Sequence, residues 1–480
     1  AAYRNRVWWT RRTSNWNQVC NGGFILAALA IADTHPEEAG VVLAGALACL
    51  PAGMDLLGDD GASEEGPTYW AYGITYHAFL VDALESALGH AAGIERHPRF
   101  AVLGRAGLFH MQTVGAANRY FNYGDAKTTA YFAPVLGWMS RRFDQPAMAA
   151  SLRGQVERDL PRMRAGGLMA DDTLDRFLAF LVVWYDPRSG VAQADPPLVS
   201  RFSGRSPLAV LRSGWDQGDI YLAAKGGHSR AEHGHLDIGS FVLDAHGLRW
   251  VLDPGTEAYD GPGWTKARFF DAGGPRWNLY RNNTFSHATL TIDGALQSTK
   301  SNAAVADCIR TATGPGRSVA VFDLSPAYAG QAARVLRAFS IHDGREVLVE
   351  DRVEGARPGS RIRWAAPTAA AVTIDGGGAV LAQGGRQVRV EILDPPDGRF
   401  EIVPTDPYAR DDAGRPVNPV PDNPPGQQRN EGTRMLAVHA TARDAPLRIT
   451  VRFIIDHADG RPAPAWRALD DPAMTRPGSP

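Results

Sequence analysis

The sequence predicts an α+β chain of more than one domain. Three observations carry this: residues before about 185 read at helical period, residues after about 198 read at strand period, and a Pro/Asp-rich stretch lies between. In the first part, 24–32, 41–50, 72–88, 100–114, 129–142 and 174–184 are Ala/Leu-rich and punctuated by Gly and Pro, so each is an expected helix. Short loops between them suggest stacked hairpins, and no fixed repeat marks a solenoid. The segment DPRSGVAQADPP at 186–197 breaks the pattern and is the expected boundary. Beyond it, 207–212, 220–224, 240–243, 249–252, 288–292, 319–322, 347–351 and 447–454 are β-branched or aromatic and bounded by Gly, Asp or Pro. Many short strands at this spacing predict an antiparallel sandwich. Residues 404–432, with repeated Pro, Asp and Asn, read as a long loop or joint. The expected domains are therefore 1–190, 198–403 and a C-terminal β-rich region, 404–480.

Composition narrows the function. The 480 residues suggest about three domains at roughly 150 residues each. The formal charge is 50 − 52 = −2, which excludes a global basic field, so neither nucleic acid nor membrane is an expected partner. No run approaches the roughly 18 uninterrupted apolar residues of a spanning helix. Cys20, Cys49 and Cys308 form no CxxC pair and support neither a disulfide framework nor a thiolate metal site. Only Lys127, Lys225, Lys266 and Lys300 are lysine, leaving 50 − 4 = 46 arginines. Nucleotide bias accounts for such an excess; so does a surface of planar forks that grip carboxylates at two points.

The densest chemical signal is GGHSRAEHGHLDIGSF, where His233, His235 and Asp237 alternate ahead of an apolar stretch. Strand period two would put all three on one face. Asp253 follows in RWVLDPG and His287 in NTFSHATLTIDG. Two imidazoles and a carboxylate from neighbouring strands form the ligand set of a zinc site with an open position, with Asp237 orienting a ring from outside. The plainer reading makes each histidine a strand cap, and that reading is kept for His35, His90, His97, His342, His439 and His457.

The helical part carries three further polar segments. TSNWNQVCNGG sets Asn15, Asn17 and Asn21 at a helix start, with Thr13 or Ser14 as cap. EEGPTYWAYGITYH holds Glu65, Tyr69, Tyr72, Tyr76 and His77, and the tyrosines at i, i+3 and i+7 share a face that either packs or stacks on sugar rings. RYFNYGDA, at 119–126, is of the same polar-aromatic kind. Arg212 in RSGWD suits an acidic sugar or an ion pair with Asp216.

Taken in order, NWNQVCNGG, EGPTYWAYG, FNYGDA, RSGWD, HGHLDIGSFVLDAHGLRWVLDPGTEAY and FSHATLTIDG resemble the heparinase II/III-like family of uronic-acid polysaccharide lyases. A more distant similarity runs to chondroitin-glucuronate C5 epimerases. The resemblance covers roughly residues 8 to 300. It implies an incomplete (α/α) toroid followed by an antiparallel β-sandwich, with the cleft between them. It also implies an acidic polysaccharide substrate, one mainly structural zinc and a periplasmic or secreted location, and leaves the oligomeric state open, a dimer included. In the family the asparagine segment comes late in the toroid, whereas here it begins at residue 15. The chain would then lack N-terminal hairpins or be a short member.

Carried over residue by residue, Asn15 matches the amide that neutralises the substrate carboxylate. Trp16 stands where relatives often have histidine, which removes one candidate base and leaves an aromatic to contact substrate. Tyr72 matches the catalytic tyrosine, with Tyr76 one turn on as the backup acid. His233 matches the catalytic histidine of the HxH pair, and His235, Asp253 and His287 match the zinc ligands.

The implied reaction explains these residue types. A proton α to an ionised carboxylate is very weakly acidic, so an amide must stabilise the developing enediolate. A tyrosinate or a neutral histidine takes the C5 proton, and a phenol protonates the departing 4-O oxygen. The expected function is therefore β-elimination from a glycosaminoglycan-, alginate- or glucuronan-like chain. The alternatives are a uronate C5 epimerase, a non-catalytic carbohydrate-binding protein and a zinc hydrolase.

Overall fold

The computed structural model describes residues 3, 5–129, 133–164, 177–191, 194–270, 274–299, 304–455 and 462–475. They fall into two units: Ala1–Val114 with Thr129–Pro196, and Gly115–Thr128 with Pro197–Pro480.

Helices in the first unit start and stop where local chemistry dictates. They are α1 (Asn15–Ile31), α2 (Pro36–Cys49), α3 (Pro51–Met54), α4 (Pro67–Leu88), α5 (Phe100–Thr113), α6 (Val135–Phe143), α7 (Pro146–Arg164) and α8 (Phe180–Val183). Pro36 opens α2 with Glu37 and Glu38 in its first turn, where proline lacks only an N–H that would be orphaned and carboxylates face the positive helix end. Gly89 ends α4 at φ 75°, a left-handed cap that glycine adopts without strain. Ile25 and Ala28 of α1, Trp70, Ile74, Leu80 and Leu84 of α4, Phe109 of α5 and Leu136 and Met139 of α6 are buried.

Polar staples lie within this apolar layer. Asn17 Nδ2 donates to the carbonyls of Trp9, Thr10 and Cys49, and Asn21 Nδ2 donates to Asn17 Oδ1. Two of the three asparagines in the NWNQVCNGG segment thus serve the fold. Pro36–Met54 is long and apolar enough, by length and composition, to cross a membrane. Its acidic first turn and its packing against α1 are those of a helix in a helical layer.

Two helix expectations shrink. The helix expected at 129–142 begins only at Val135, after Pro134 sets the start. Of the one expected at 174–184, residues 174–176 lie outside the described residues and only Phe180–Val183 is α-helical.

The second unit is built on three antiparallel sheets. The first runs in order β1 (Val199–Phe202), β2 (Leu208–Arg212), β3 (Tyr221–Lys225), β4 (Phe241–Ala245), β5 (Leu248–Val251). The remaining strands are β6 (Leu290–Ile292), β7 (Asp307–Gly314), β8 (Arg317–Asp323), β9 (Arg334–His342), β10 (Glu346–Glu354), β11 (Arg361–Thr368), β12 (Ala371–Asp375), β13 (Gly378–Gln383), β14 (Arg386–Asp394), β15 (Phe400–Pro404), β16 (Arg434–Thr441) and β17 (Leu447–Ile454). They form an eight-stranded sheet in order β12-β13-β14-β17-β10-β9-β8-β7 and a four-stranded sheet in order β15-β16-β11-β6. One core joins all three: Leu222, Leu243 and Trp250 from the first, Phe322, Phe339, Val349 and Phe453 from the second, Leu290, Trp364 and Val438 from the third. At about 25 cal/mol per Å² of buried apolar surface, such a core dominates the unit's stability.

A histidine and carboxylate cluster as candidate active site

The chain between β3 and β4, residues 226–240, folds as turns. His233, His235 and Asp237 are therefore not on a strand face, which corrects the period-two expectation. The reason is local: His233 takes φ 57° and Gly239 φ 82°, so the backbone cannot stay extended. The turns instead bring His233 and His235 to one carboxylate. Asp125 Oδ2 lies 2.7 Å from His233 Nδ1, and Asp125 Oδ1 lies 2.9 Å from His235 Nε2.

Asp125 comes from Gly115–Thr128, the stretch between α5 and α6 that belongs to the sheet unit. Its backbone N–H donates to the His233 carbonyl at 2.9 Å. The neighbouring Gly124, at φ 59°, comes so close that a Cβ there would stand 2.5 Å from that carbonyl oxygen. Tyr259 Oη donates to Asp125 Oδ2 at 3.0 Å, and Arg276 Nη2 donates to Oδ1 at 3.2 Å. Arg276 also donates through Nε and Nη2 to the Gly234 carbonyl, bracing the backbone between the two histidines. Burial alone would raise Asp125, but the Arg276 guanidinium and the bonds from His233 and His235 hold its carboxyl well below the usual carboxylate range.

Deeper in the same unit, His235 Nδ1 and His287 Nε2 are buried without a hydrogen-bond partner among the described residues. Donor atoms of His235, Asp237 and His287 lie within 4.8 Å of one another. Asp237 Oδ1 accepts from Lys225 Nζ at 2.6 Å, and both side chains are almost fully buried. Asp253 Oδ2 lies 3.0 Å from His287 Nδ1, and its Oδ1 accepts the Gly255 N–H. Burial lowers His235 despite its bond to Asp125. For His287 burial is outweighed by the Asp253 carboxylate, and its pKa rises. Two buried imidazoles, each with a lone-pair nitrogen that nothing satisfies, together with a carboxylate are a donor set suited to zinc. Asp237 is paired with Lys225, whereas Asp253 bonds His287 and lies in the field of the Arg249 and Arg281 guanidiniums.

Arg212 is 4% exposed, with its guanidinium 3.9 Å from the Trp215 ring centre and 4.5 Å from that of Tyr221. Burial pulls its pKa down to about 10. Aromatic rings lie against the guanidinium, so cation–π packing holds this side chain in the sheet unit.

In the helical unit, Asn15 is buried at the start of α1. Its backbone N–H and its Nδ2 donate to the two oxygens of Glu65, at 3.1 and 3.0 Å. Glu65, rather than the expected Thr13 or Ser14, caps this helix, since Ser14 sits at the N-cap without a side-chain capping bond. Tyr72 and Tyr76 are half-buried and meet edge to face at 5.3 Å, with Phe177 against both. Trp16 is exposed, its ring 6.2 Å from that of Trp8.

Residues 203–418 match the family model described as heparinase II/III-like, C-terminal. This part of the chain is similar to heparinase II/III-like C-terminal domains. Solved structures with a similar fold include heparan sulfate lyase HepC from Pedobacter heparinus, with 16% identity, TM-score 0.58, and coverage of 92% of this chain and 60% of that one. A structure titled heparinase III gives 14% identity, TM-score 0.63, and coverage of 91% and 61%. The chain thus spans about three fifths of the length of these structures. No curated protein matches it in sequence.

Four residues that the sequence reading did not single out shape this cluster: Asp125, Tyr259, Arg276 and Lys225. Asp125 stood inside FNYGDA, which read as a polar-aromatic segment that either packs or stacks on sugar rings. Tyr120, Phe121 and Tyr123 of that segment are buried and pack, while its carboxylate meets His233 and His235. The available signal was an acidic residue following a glycine in an otherwise aromatic stretch.

Proposed function

We propose that the protein is a polysaccharide lyase that cleaves a uronate-containing glycan by β-elimination. The observation that carries this reading is the His233–Asp125 pair in a heparinase II/III-like domain, with Tyr259 Oη alongside. With Nδ1 protonated toward Asp125, the neutral ring has its lone pair on Nε2, the arrangement of a general base.

In the proposed reaction His233 Nε2 takes the C5 proton. The C5–H electrons become the C4–C5 double bond, and the C4–O bond breaks. The leaving oxygen takes the phenolic proton of Tyr72, with Tyr76 as the backup acid, and solvent then restores both residues. The Asn15 amide holds the uronate carboxylate, so charge passing onto it in the enediolate meets a donor fixed in advance. Glu65 supports this role by anchoring both the backbone and the side chain of Asn15.

His235, Asp253 and His287 would hold one zinc ion, supported by the two ring nitrogens left without a hydrogen bond among the described residues and by the contact of Asp253 with His287. When bound, the ion supplies positive charge that fixes the loop ends. The toroid-plus-sandwich architecture and a secreted or periplasmic setting belong to this reading.

Ultraviolet absorbance of the unsaturated uronate tests it. Heparan sulfate is the first substrate to try, given the fold it shares with a heparan sulfate lyase. A rise with at least one uronan, abolished in His233→Ala, is the expected result. No rise with heparan sulfate, heparosan, chondroitin, alginate or glucuronan would overturn it. Solvent deuterium uptake at C5 without cleavage would replace it with epimerisation.

A further inference from the structure

One carboxylate serves two imidazoles, through different oxygens and different ring nitrogens: Asp125 Oδ2 faces His233 Nδ1, and Oδ1 faces His235 Nε2. An ionised carboxylate only accepts, so the ring nitrogen facing it must carry the proton. His233 is then the Nδ1–H tautomer with its lone pair on Nε2. His235 is the opposite tautomer, with its lone pair on Nδ1, the buried nitrogen that has no hydrogen-bond partner. Arg276 Nη2 reaches the Oδ1 side, while Tyr259 Oη donates to Oδ2 and lies 3.2 Å from His233 Nδ1, whose N–H it can accept alongside the carboxylate.

We propose that Asp125 is a positioning residue that sets His233 and His235 in opposite tautomers with one carboxylate, giving one a basic Nε2 and the other a zinc-facing Nδ1. The role of His233 as base rests on the lyase reading above, whereas the tautomer pattern stands apart from it.

The two halves separate in Asp125→Asn. An amide offers one accepting oxygen and one donating NH2. Arg276 Nη2, 3.2 Å from the Oδ1 position, would face another donor if the NH2 lay there, so the oxygen stays on that side. The NH2 then takes the Oδ2 position against His233 Nδ1, and Tyr259 Oη can turn to accept from it. His233 must accept through Nδ1 and carry its proton on Nε2, which removes the base. His235 keeps its tautomer and its zinc-facing nitrogen.

The test is long-range 15N–1H spectra of the imidazoles in zinc-free protein at alkaline pH, with His233 and His235 assigned by single substitutions. In the wild type His233 is expected as Nδ1–H and His235 as Nε2–H. In Asp125→Asn only His233 changes. Zinc affinity, read by competition with a chelator, is expected to stay within threefold of the wild type. Turnover of heparan sulfate falls by on the order of 10³–10⁴-fold with little change in KM, the scale of a wrong-tautomer defect. Asp125→Ala frees both rings and lowers zinc affinity as well, by about 10–100-fold.

The reverse tautomers in the wild type would overturn the proposal without need of any variant, and so would an unchanged His233 in a folded Asp125→Asn. A wild type that has the expected tautomers but cleaves no uronan would overturn the lyase reading and leave the role of Asp125 intact.

Discussion

Arg337 on β9 meets Asp351 on β10 side-on, Nε to Oδ1 at 2.8 Å and Nη2 to Oδ2 at 2.9 Å, with both side chains fully buried. The remaining nitrogen, Nη1, donates to the carbonyls of Gly239 and Ala288, each at 2.8 Å. Gly239 ends the turns that carry His233, His235 and Asp237, and Ala288 directly follows His287. The eight-stranded sheet thus fixes two loop ends of the site through one guanidinium.

Replacing Arg337 by Met strands a buried carboxylate and frees both carbonyls, so unfolding free energy should fall by about 3–5 kcal/mol. Removing both charges in Arg337→Met/Asp351→Leu should recover part of that stability, because no charge is then left buried alone. Zinc affinity should not recover, because the loop ends remain untied. Urea unfolding together with chelator competition on the three proteins checks this, and full recovery of zinc affinity in the double variant would refute it.

Asp253 and Asp237 should behave differently although both lie near His287. Asp253 acts on any ion held there, directly or through His287 Nδ1, so Asp253→Asn should weaken zinc at least tenfold. Asp237→Asn leaves the buried Lys225 ammonium without its carboxylate and should cost about 3–5 kcal/mol of stability. Isothermal titration with zinc and thermal unfolding of the two variants separate the effects.

Asn15 shares its environment with the buried Glu65 carboxylate. Asn15→Ala loses one charge-assisted hydrogen bond, and about 1.5–3 kcal/mol is expected to go with it. Asn15→Asp sets a second carboxylate against Glu65 and should be the less stable of the two at neutral pH, with the gap closing in acid as one carboxyl protonates. Chemical denaturation at two pH values decides this; equal stability of the two variants at pH 7 would count against the Glu65 contact.

Much of the fold was legible because local signals act locally. Gly89 ends α4 where the helix read at 72–88 ends, although Pro67 opens it five residues earlier, and the segments read as strands at 207–212 and 447–454 match β2 to within a residue and coincide with β17. The site was legible in residue type but not in arrangement. Asp125 lies 108 residues from His233, and no periodicity links a glycine-flanked acid to a distant histidine. Alternation in HGHLD suggested a strand because side-chain spacing alone cannot register the positive φ of His233. The rings of Trp215 and Tyr221 around Arg212 were not legible because they converge on it only once the sheet has formed.

The last prediction concerns acid stability of the helical unit. His77, on α4, is fully buried with neither ring nitrogen hydrogen-bonded among the described residues, and its ring lies 6.1 Å from that of Phe100. Burial first, and then the nearby His97, lower its pKa to about 4. His110, buried and stacked on Trp70 at 4.9 Å, is lowered by burial to about 3. An unfolded histidine titrates near about 6.5, so between that pH and about 4 the unfolded chain takes a proton that folded His77 refuses. Stability is therefore intact above about pH 6.5 and declines as pH falls toward 4, by on the order of 3 kcal/mol from His77 alone. His77→Leu removes the titrating ring and, because no hydrogen bond is lost, should fold well. Comparing Tm at pH 7.5 and pH 5, the wild type should lose more than His77→Leu. Parallel losses in the two proteins would show that this ring does not set the acid limit.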